Sequence, residues 1–194
     1  MDYDFYTVER LAEMSREDLK LVFSVLDSPT PEELSGEFIS RRPLYSEKDF
    51  GLFHRQAHGG HWLGKAYCQS PSGAYLGEGY NYYQNDEKGV VKKNRFMWSI
   101  GLSPIDGKQA LLMDYSAFNG PNAKKKLVDN VRRVRKGLYI GAMYTDNVNP
   151  PMSIGWDEEH DRTNLEFFFL MGPVYPWRGP DEDAIKNEPP KEEA

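Results

Sequence analysis

Apolar residues recur at helical spacing over residues 7–26, near the start of the chain. Leu11 and Met14 lie on one face of such a helix, and from Leu19 onward the same spacing continues at i, i+3, i+4 and i+7. Ser15, with Asp18 three residues later, has the form of a helix N-cap. The segment therefore reads either as one helix or as two short ones.

After residue 36 the pattern changes to short apolar and aromatic runs separated by turn residues, which predict about seven strands. The runs cover residues 37–41, 61–68, 74–84, the two arms of 95–118, 138–144 and 165–171. Residues 122–136 differ, because Leu127, Val131 and Val134 stand at helical spacing beside a strongly basic side. The chain thus predicts a mainly β fold: an antiparallel β-barrel with N-terminal helices and one helix inserted before the last strands.

The segment 95–118 predicts a hairpin with one wholly apolar face. Counting outward from its turn places Leu102 opposite Gln109, and every second residue then shares a face. The members of that face are Phe96, Trp98, Ile100, Leu111, Met113 and Tyr115. Such an aromatic-rich face must be buried, either against another protein layer or against a bound small molecule.

Composition narrows the class of protein. The chain has 194 residues, enough for one core, and its 12 Tyr, 10 Phe and 4 Trp favour both strands and small-molecule pockets. A net charge of −6 argues against a nucleic-acid partner.

The single cysteine, Cys68, excludes an intramolecular disulfide and has no activating neighbours in sequence. Without a long apolar run or a signal peptide, the expected location is the cytoplasm, with no membrane insertion.

Three segments are expected along the chain. Residues 1–35 form a helical segment packed on the barrel, and residues 36–177 form the barrel domain. Residues 178–194 are predicted to be a disordered tail, because they are rich in proline and acidic residues and have no apolar period.

Three stretches share a common pattern. Residues 34–38 (LSGEF) enter a strand from a short helix, residues 61–65 (HWLGK) form a Trp/Gly-Lys strand, and residues 131–134 (VRRV) precede 137–141 (GLYIG). Their order resembles the lipocalin-like (calycin) barrels, in particular small bacterial domains with a Gly-x-Trp-x-Gly opening strand. Phe38 and Ser40 stand where that motif has Trp and Gly. The resemblance implies a barrel that binds a small apolar ligand, and it carries no fixed catalytic set.

Histidines provide one set of candidate functional residues. His54, His58 and His61 have a spacing that can bind a metal, but no carboxylate motif accompanies them and the Gly59-Gly60 pair would break a helix. No metal site is therefore predicted. His61 begins a strand and is the best of the three as an acid or base.

Asp114 is the second candidate, as a single acid within an apolar strand. In a dry cavity its pKa would rise, and the carboxyl could act as a general acid or base. The predicted register instead puts Asp114 on the mixed face of the hairpin, with Arg95 as its diagonal neighbour. An Asp114–Arg95 pair would be structural.

The leading hypothesis is that the barrel binds a small apolar or aromatic molecule without a cofactor. The predicted ligand-binding residues are Phe96, Trp98, Ile100, Met113, Tyr115, Tyr80 and Tyr82. The alternative is a cofactor-free isomerase, cyclase or lyase acting on an apolar intermediate in the same cavity, with Asp114 and His61 as catalytic residues. A third hypothesis is an adaptor that uses the basic side of residues 122–136 to bind an acidic partner. The sequence leaves both a monomer and a homodimer open.

Overall fold

Eight strands form one closed antiparallel barrel in the computed structural model, which describes residues 3–47, 60–118, 120–124, 126–145, 165–182 and 185. Each strand pairs with the next along the chain, and β8 pairs with β1. The strands are β1 Gly36–Arg41, β2 His61–Ser72, β3 Tyr75–Asn85, β4 Gly89–Leu102, β5 Gln109–Asp114, β6 Leu127–Arg135, β7 Leu138–Thr145 and β8 Glu166–Tyr175. The predicted mainly β barrel with N-terminal helices is confirmed.

The β4–β5 hairpin has the predicted register. Leu102 lies opposite Gln109 and Trp98 lies opposite Met113. The ladder ends at Asp114, so Tyr115 follows the strand directly. The apolar face of the hairpin points into the barrel, because its members belong to one buried cluster with residues from β1, β2, β6, β7 and β8.

The prediction of a helix over residues 122–136 is wrong. Only Pro121–Lys124 is helical (α3), and the following residues form β6, which pairs with β5 and β7. The two faces of β6 are both covered: Val131 belongs to the barrel interior and Val134 to the layer under the N-terminal helices. When both faces of a strand are buried, its apolar residues lose the period-two pattern and can mimic helical spacing.

The basic residues of β6 are also not exposed as the adaptor hypothesis requires. Arg132 is fully buried and forms an ion pair with Asp106 at 2.6 Å. Arg133 pairs with Glu33 at 2.8 Å. These side chains therefore tie neighbouring segments to the barrel.

The N-terminal segment forms two short helices, α1 (Val8–Glu13) and α2 (Arg16–Val25). The hydroxyl of Thr7 accepts a hydrogen bond from the Arg10 N–H, and the hydroxyl of Ser15 accepts one from the Asp18 N–H. These two N-caps explain why the chain divides at Ser15. Apolar side chains of both helices pack on the outward residues of β7 and β8, and no helix within the described ranges is long and apolar enough to span a membrane.

Aromatic rings fill the middle of the barrel. The ring of Phe38 makes edge contacts with those of Tyr67 and Tyr139, and Tyr67 makes one with Phe96. The ring centroids in these pairs are 5.5, 5.7 and 5.6 Å apart, respectively. Edge-to-face contacts at such distances are favourable, so this layer is cohesive.

Glycines on adjacent strands make room for these rings. A Cβ atom at Gly79 would lie 2.3 Å from the ring of Phe96, and one at Gly141 would lie 2.0 Å from the ring of Phe168. The rings therefore lie directly over backbone. Glycine within a strand often marks such a close approach.

The barrel has two distinct ends. We call the end with the turns at residues 73–74, 103–108 and 136–137 the upper end, and the end with the turn at 86–88 the lower end. The chain before β1 crosses the upper end, where Asp27 bridges to Arg133 through backbone and Leu34 joins the interior cluster. A capping box between Thr30 and Glu33 holds the single 3-10 turn Pro31–Glu33 in this segment.

The chain beyond β8 returns along the outside of the barrel. Trp177 stacks on Tyr80 with ring centroids 4.7 Å apart, and Arg178 forms an ion pair with Glu37 at 2.5 Å. Asp181 accepts a hydrogen bond from the Lys92 N–H at 2.8 Å. The first residues of the tail predicted to be disordered therefore contact the barrel as far as Asp181.

Candidate functional site

A polar cluster lies inside the lower half of the barrel, where four residues from different strands meet. We call it the Lys65 cluster; its members are Lys65 on β2, Asn81 on β3, Tyr115 after β5 and Asp129 on β6. Lys65 and Asn81 are direct partners in the β2–β3 ladder. The members are far apart in sequence, so only the closed sheet brings them together.

A bulge in β2 aims two of its side chains into the barrel. Trp62 pairs with Tyr83 and Gly64 pairs with Tyr82, which leaves Leu63 as an extra residue. In a regular strand, residues 62 and 65 would point to opposite faces. Because of the bulge, Trp62 Nε1 and Lys65 Nζ both donate hydrogen bonds to Asn81 Oδ1, at 3.1 and 2.8 Å.

The centre of the cluster is a buried ion pair. Lys65 Nζ donates to Asp129 Oδ2 at 2.7 Å and to Tyr115 Oη at 2.7 Å. Tyr115 Oη in turn donates to the same Asp129 oxygen at 2.7 Å. Lys65 is 3% exposed and Asp129 is 1% exposed, so solvent does not screen this pair.

Aromatic rings surround the ammonium group. The Lys65 nitrogen lies 5.3–5.5 Å from the ring centroids of Trp62, Phe96, Tyr115 and Phe168. Ring faces attract a cation electrostatically, most strongly where water is excluded. They form an apolar wall around the ion pair.

Burial changes the proton affinity of the cluster. Desolvation lowers the pKa of Lys65, and the nearby Asp129 carboxylate partly offsets that effect. Desolvation, followed by the charge of Asp129, raises the pKa of Tyr115 well above its usual value. At neutral pH the tyrosine is therefore a hydrogen-bond donor to the carboxylate.

Arg42, just after β1, extends the positive charge of this region. Its guanidinium group lies 4.8 Å from the ring centroid of Trp62 and donates a hydrogen bond to the Phe167 carbonyl at 3.3 Å. Desolvation lowers the pKa of Arg42 to about 10, against opposing contributions from Asp129 and Glu166. Arg42 still carries its charge at neutral pH.

A separate cleft of about 830 Å³ lies at the upper end, between residues 24–31 and the barrel rim. Leu26, Leu76, Ile100 and Gln109 contribute to its lining. Its volume is within the range of small-molecule sites. The aromatic layer in the middle of the barrel, which includes Phe38, Tyr67 and Tyr139, lies between this cleft and the Lys65 cluster.

The predicted ligand-binding residues fall into three groups. Phe96, Trp98, Met113 and Tyr115 lie in the barrel interior, and among them Tyr115 belongs to the Lys65 cluster. Ile100 is partly buried against this interior cluster and also lines the upper cleft.

Tyr80 and Tyr82 form the third group, on the opposite face of β3 from the interior Asn81. They cluster with Ala66 and Trp177. The Tyr80 hydroxyl donates to Glu37 at 2.6 Å, and the Tyr82 hydroxyl donates to the Phe38 carbonyl at 3.0 Å. The fold therefore does not bring these two side chains to the interior site.

The two residues predicted to be catalytic also lie apart from the cluster. His61 is exposed at the first position of β2 and pairs with Gln84. Asp114 ends β5 and accepts hydrogen bonds from the Tyr75 hydroxyl and from Ser116. Arg95 forms an ion pair with Glu78.

Of the three predicted histidines, His54 and His58 lie outside the described residues. Among the side chains that are described, no three of the types His, Cys, Asp and Glu are grouped so as to hold a metal ion.

Sequence reasoning missed Lys65, Asn81 and Asp129 as site residues. Lys65 carried a detectable signal, because a lysine within an apolar and aromatic strand either points to solvent or is paired inside. Asp129 carried none, since residues 122–136 read as a helix. The pairing of β6 with β5 decides that Asp129 faces Lys65.

Neither protein-family models nor curated proteins match this chain. Among solved structures, the chain is similar to a protein from Thermomonospora curvata, with a TM-score of 0.45 and 17% sequence identity. That match covers 84% of this chain and 95% of the other. The fold of this chain is a closed eight-stranded antiparallel barrel.

Proposed function

We propose that the protein is a lipocalin-like binding barrel, which holds a small, mainly apolar or aromatic molecule against the Lys65 cluster. The observation that carries this proposal is the fully buried Lys65–Asp129 ion pair with aromatic rings around it. Rings supply contact area for an apolar body, and a few convergent polar groups orient it, as is typical of small-molecule sites.

The energetics of the ion pair support this proposal. Removing two charges from water costs several kcal/mol per ion, and apolar residues of similar volume often stabilise a core equally well or better. A barrel whose middle layer is aromatic does not need such a pair for packing. Ionisable groups that are strongly perturbed by burial cluster at functional sites, which favours a ligand or catalytic role.

Analysis of the freshly purified chain by native mass spectrometry and by solvent extraction tests the proposal. We expect a small molecule to accompany the protein and to be lost from the Lys65→Met and Tyr115→Phe variants. Lys92→Met is the matched control, because Lys92 forms its ion pair with Asp181 near the surface. If the native chain carries no molecule and binds none from a panel of aromatic compounds, the proposal is wrong.

One observation favours the enzymatic alternative, a cofactor-free isomerase, cyclase or lyase. Lys65 Nζ and Tyr115 Oη both donate to Asp129 Oδ2 at 2.7 Å, so a proton can move along a continuous path of hydrogen bonds. In this alternative the Asp129 carboxylate acts as base and the Lys65 ammonium as acid, with Tyr115 hydrogen-bonded to both. The native protein would then convert the co-purified molecule during incubation, and its extract would contain both substrate and product. An extract that stays one unchanged compound would support the binding function alone.

A further inference from the structure

The hydrogen bonds within the Lys65 cluster leave one atom unused. Lys65 directs its three N–H donors to Asn81 Oδ1, Tyr115 Oη and Asp129 Oδ2. Asn81 Oδ1 also accepts from Trp62, while Asn81 Nδ2 donates to the Asn94 carbonyl at 3.0 Å and to Tyr115 Oη at 3.2 Å. Lys65 and Asn81 therefore have no remaining hydrogen-bonding capacity for a ligand.

Tyr115 is satisfied in the same way. Its hydroxyl oxygen accepts from Lys65 and from Asn81, and its proton goes to Asp129 Oδ2. A phenol has only one proton to donate. A ligand therefore cannot hydrogen-bond to Tyr115 without displacing a partner.

The unused atom is Asp129 Oδ1. This carboxylate oxygen is buried and has no hydrogen-bond partner in the described part of the chain, although Asp129 is only 1% exposed. A buried carboxylate oxygen without a donor is costly, because a charged group loses more on desolvation than a neutral one. The cluster therefore lacks a donor, which a bound molecule or a water can supply.

Charge decides which kind of donor fits. Lys65 and Asp129 neutralise each other at 2.7 Å. An anionic ligand group would face the carboxylate oxygen directly, and a cationic group would lie beside the Lys65 ammonium and the Arg42 guanidinium. A neutral O–H or N–H avoids both repulsions and forms a charge-assisted hydrogen bond, the stronger kind.

We infer that the ligand of this site is a neutral aromatic molecule that carries a hydroxyl or N–H group and donates it to Asp129 Oδ1. This inference rests on the proposed binding function. The aromatic part follows from the rings of Trp62, Phe96 and Phe168 around the cluster. The hydroxyl or N–H group follows from Asp129 Oδ1, which accepts no hydrogen bond in the described part of the chain.

Binding of three small probes to the ligand-stripped, full-length chain tests the inference. Phenol offers a donor, anisole has nearly the same shape without one, and benzoate is an anion. We expect phenol to bind at least about tenfold more tightly than anisole or benzoate, because one charge-assisted hydrogen bond contributes a factor of that order. The measurement is an NMR titration that follows resonances of residues 62–67 and 127–131.

Two variants test whether Asp129 accepts the hydrogen bond from the phenol hydroxyl. Asp129→Asn removes the charge, and we expect it to reduce a tenfold preference for phenol over anisole to about threefold, because a charge-assisted bond is about twice as strong as a neutral one. Asp114→Asn is the control, since it changes a carboxyl group at the end of β5 outside the cluster and should leave the preference intact. The probe comparison on the native chain is decisive even if the Asp129 variant does not fold.

The outcomes separate this inference from the proposed function. If anisole or benzoate binds as tightly as phenol, the inference is overturned while the binding function stands. If a crystal structure with phenol shows an ordered water on Asp129 Oδ1 and phenol elsewhere, the inference is likewise overturned. If no probe binds and nothing co-purifies, both fail.

Discussion

The two ends of the barrel interior are formed by the same eight strands but are filled in opposite ways. At the upper end, Leu34 of the segment that crosses the barrel packs into the interior cluster, and a cleft of about 830 Å³ remains beside that segment. At the lower end, Lys65 and Asp129 are buried in a hydrogen-bonded network among aromatic rings. The upper end has a cleft lined by a mixture of apolar and polar residues, whereas the lower end has a buried ion pair that packing alone does not require.

This difference shows why the position of a cavity and the position of functional chemistry need separate tests. A cleft arises wherever a connecting segment covers the rim of a barrel imperfectly. A buried ion pair is costly to desolvate, which favours a role in specificity or in function. We therefore assign the ligand to the lower end, and the following predictions would change that assignment or sharpen it.

The largest effect is expected from Lys65→Met. It leaves the Asp129 carboxylate buried without its counter-ion, and we expect the free energy of unfolding to fall by about 3–5 kcal/mol. Urea denaturation measures the loss. Lys92→Met, which removes a partly exposed ion pair, should cost about 1 kcal/mol or less.

The double variant Lys65→Met/Asp129→Leu distinguishes structure from function. If the ion pair serves function, the double variant should recover most of the lost stability while still lacking the ligand. A double variant as unstable as Lys65→Met would mean that the pair is needed for folding, which would weaken the assignment of function to the lower end.

The second largest effect is expected from Gly141→Ala. The added methyl group would meet the Phe168 ring at 2.0 Å, so the ring must move, and over-packing of this kind costs about 1–3 kcal/mol. Since Phe168 is one of the rings around Lys65, ligand affinity should fall as well. In the control Gly101→Ala, the nearest atom is Leu112 Cδ1 at 3.0 Å, at the end of a flexible side chain. Equal effects of the two substitutions in thermal melts and ligand titrations would contradict this account.

A third prediction concerns the pH dependence of the aromatic layer between the two ends. Desolvation raises the pKa of Tyr67 well above its usual value of 10.0, and its hydroxyl donates a hydrogen bond to Met113 Sδ at 3.8 Å. The pKa of Tyr67 is higher in the folded than in the unfolded state, so the protonated phenol contributes its full stability below pH 10. That contribution is lost as the pH rises further. Between pH 10 and the raised pKa, Tyr67 should lower the free energy of unfolding by about 1.4 kcal/mol per pH unit.

The variant Tyr67→Phe isolates this contribution. It should match the native chain at pH 7 and lose less stability than the native chain above pH 10, as measured by urea denaturation at each pH. An unchanged alkaline slope would mean that water reaches the phenol, and that the layer does not separate the two ends. The effect of Lys65 on stability has the opposite sign. Burial lowers its pKa, so the free-energy cost of burying its charge decreases as the pH rises toward 10.5.

The smallest effect is expected from Ile100→Phe, which adds bulk to the upper cleft. Because Ile100 is only partly buried, the free energy of unfolding should change by about 0.5 kcal/mol or less. Binding of the co-purified molecule should not change. Loss of binding in this variant, with binding kept in Tyr115→Phe, would move the ligand to the upper end.

The strands and their faces were predictable where local patterns are strong. The register of β4 and β5 followed from alternation on either side of one turn, because a hairpin brings together residues that are close in sequence. The N-cap at Ser15 was equally local. β6 was not predictable in this way, since both of its faces are buried and its apolar period is ambiguous.

The sequence alone determined that the chain forms an aromatic-rich antiparallel barrel with short helices before it, because alternation, turns and caps act between near neighbours. Only the tertiary structure decided where the chemistry lies. Lys65 turns inward because of a one-residue bulge in β2, and it meets Asp129 because closure of the sheet juxtaposes residues 64 positions apart. Such contacts depend on register and on closure of the whole sheet, which local periodicity does not encode.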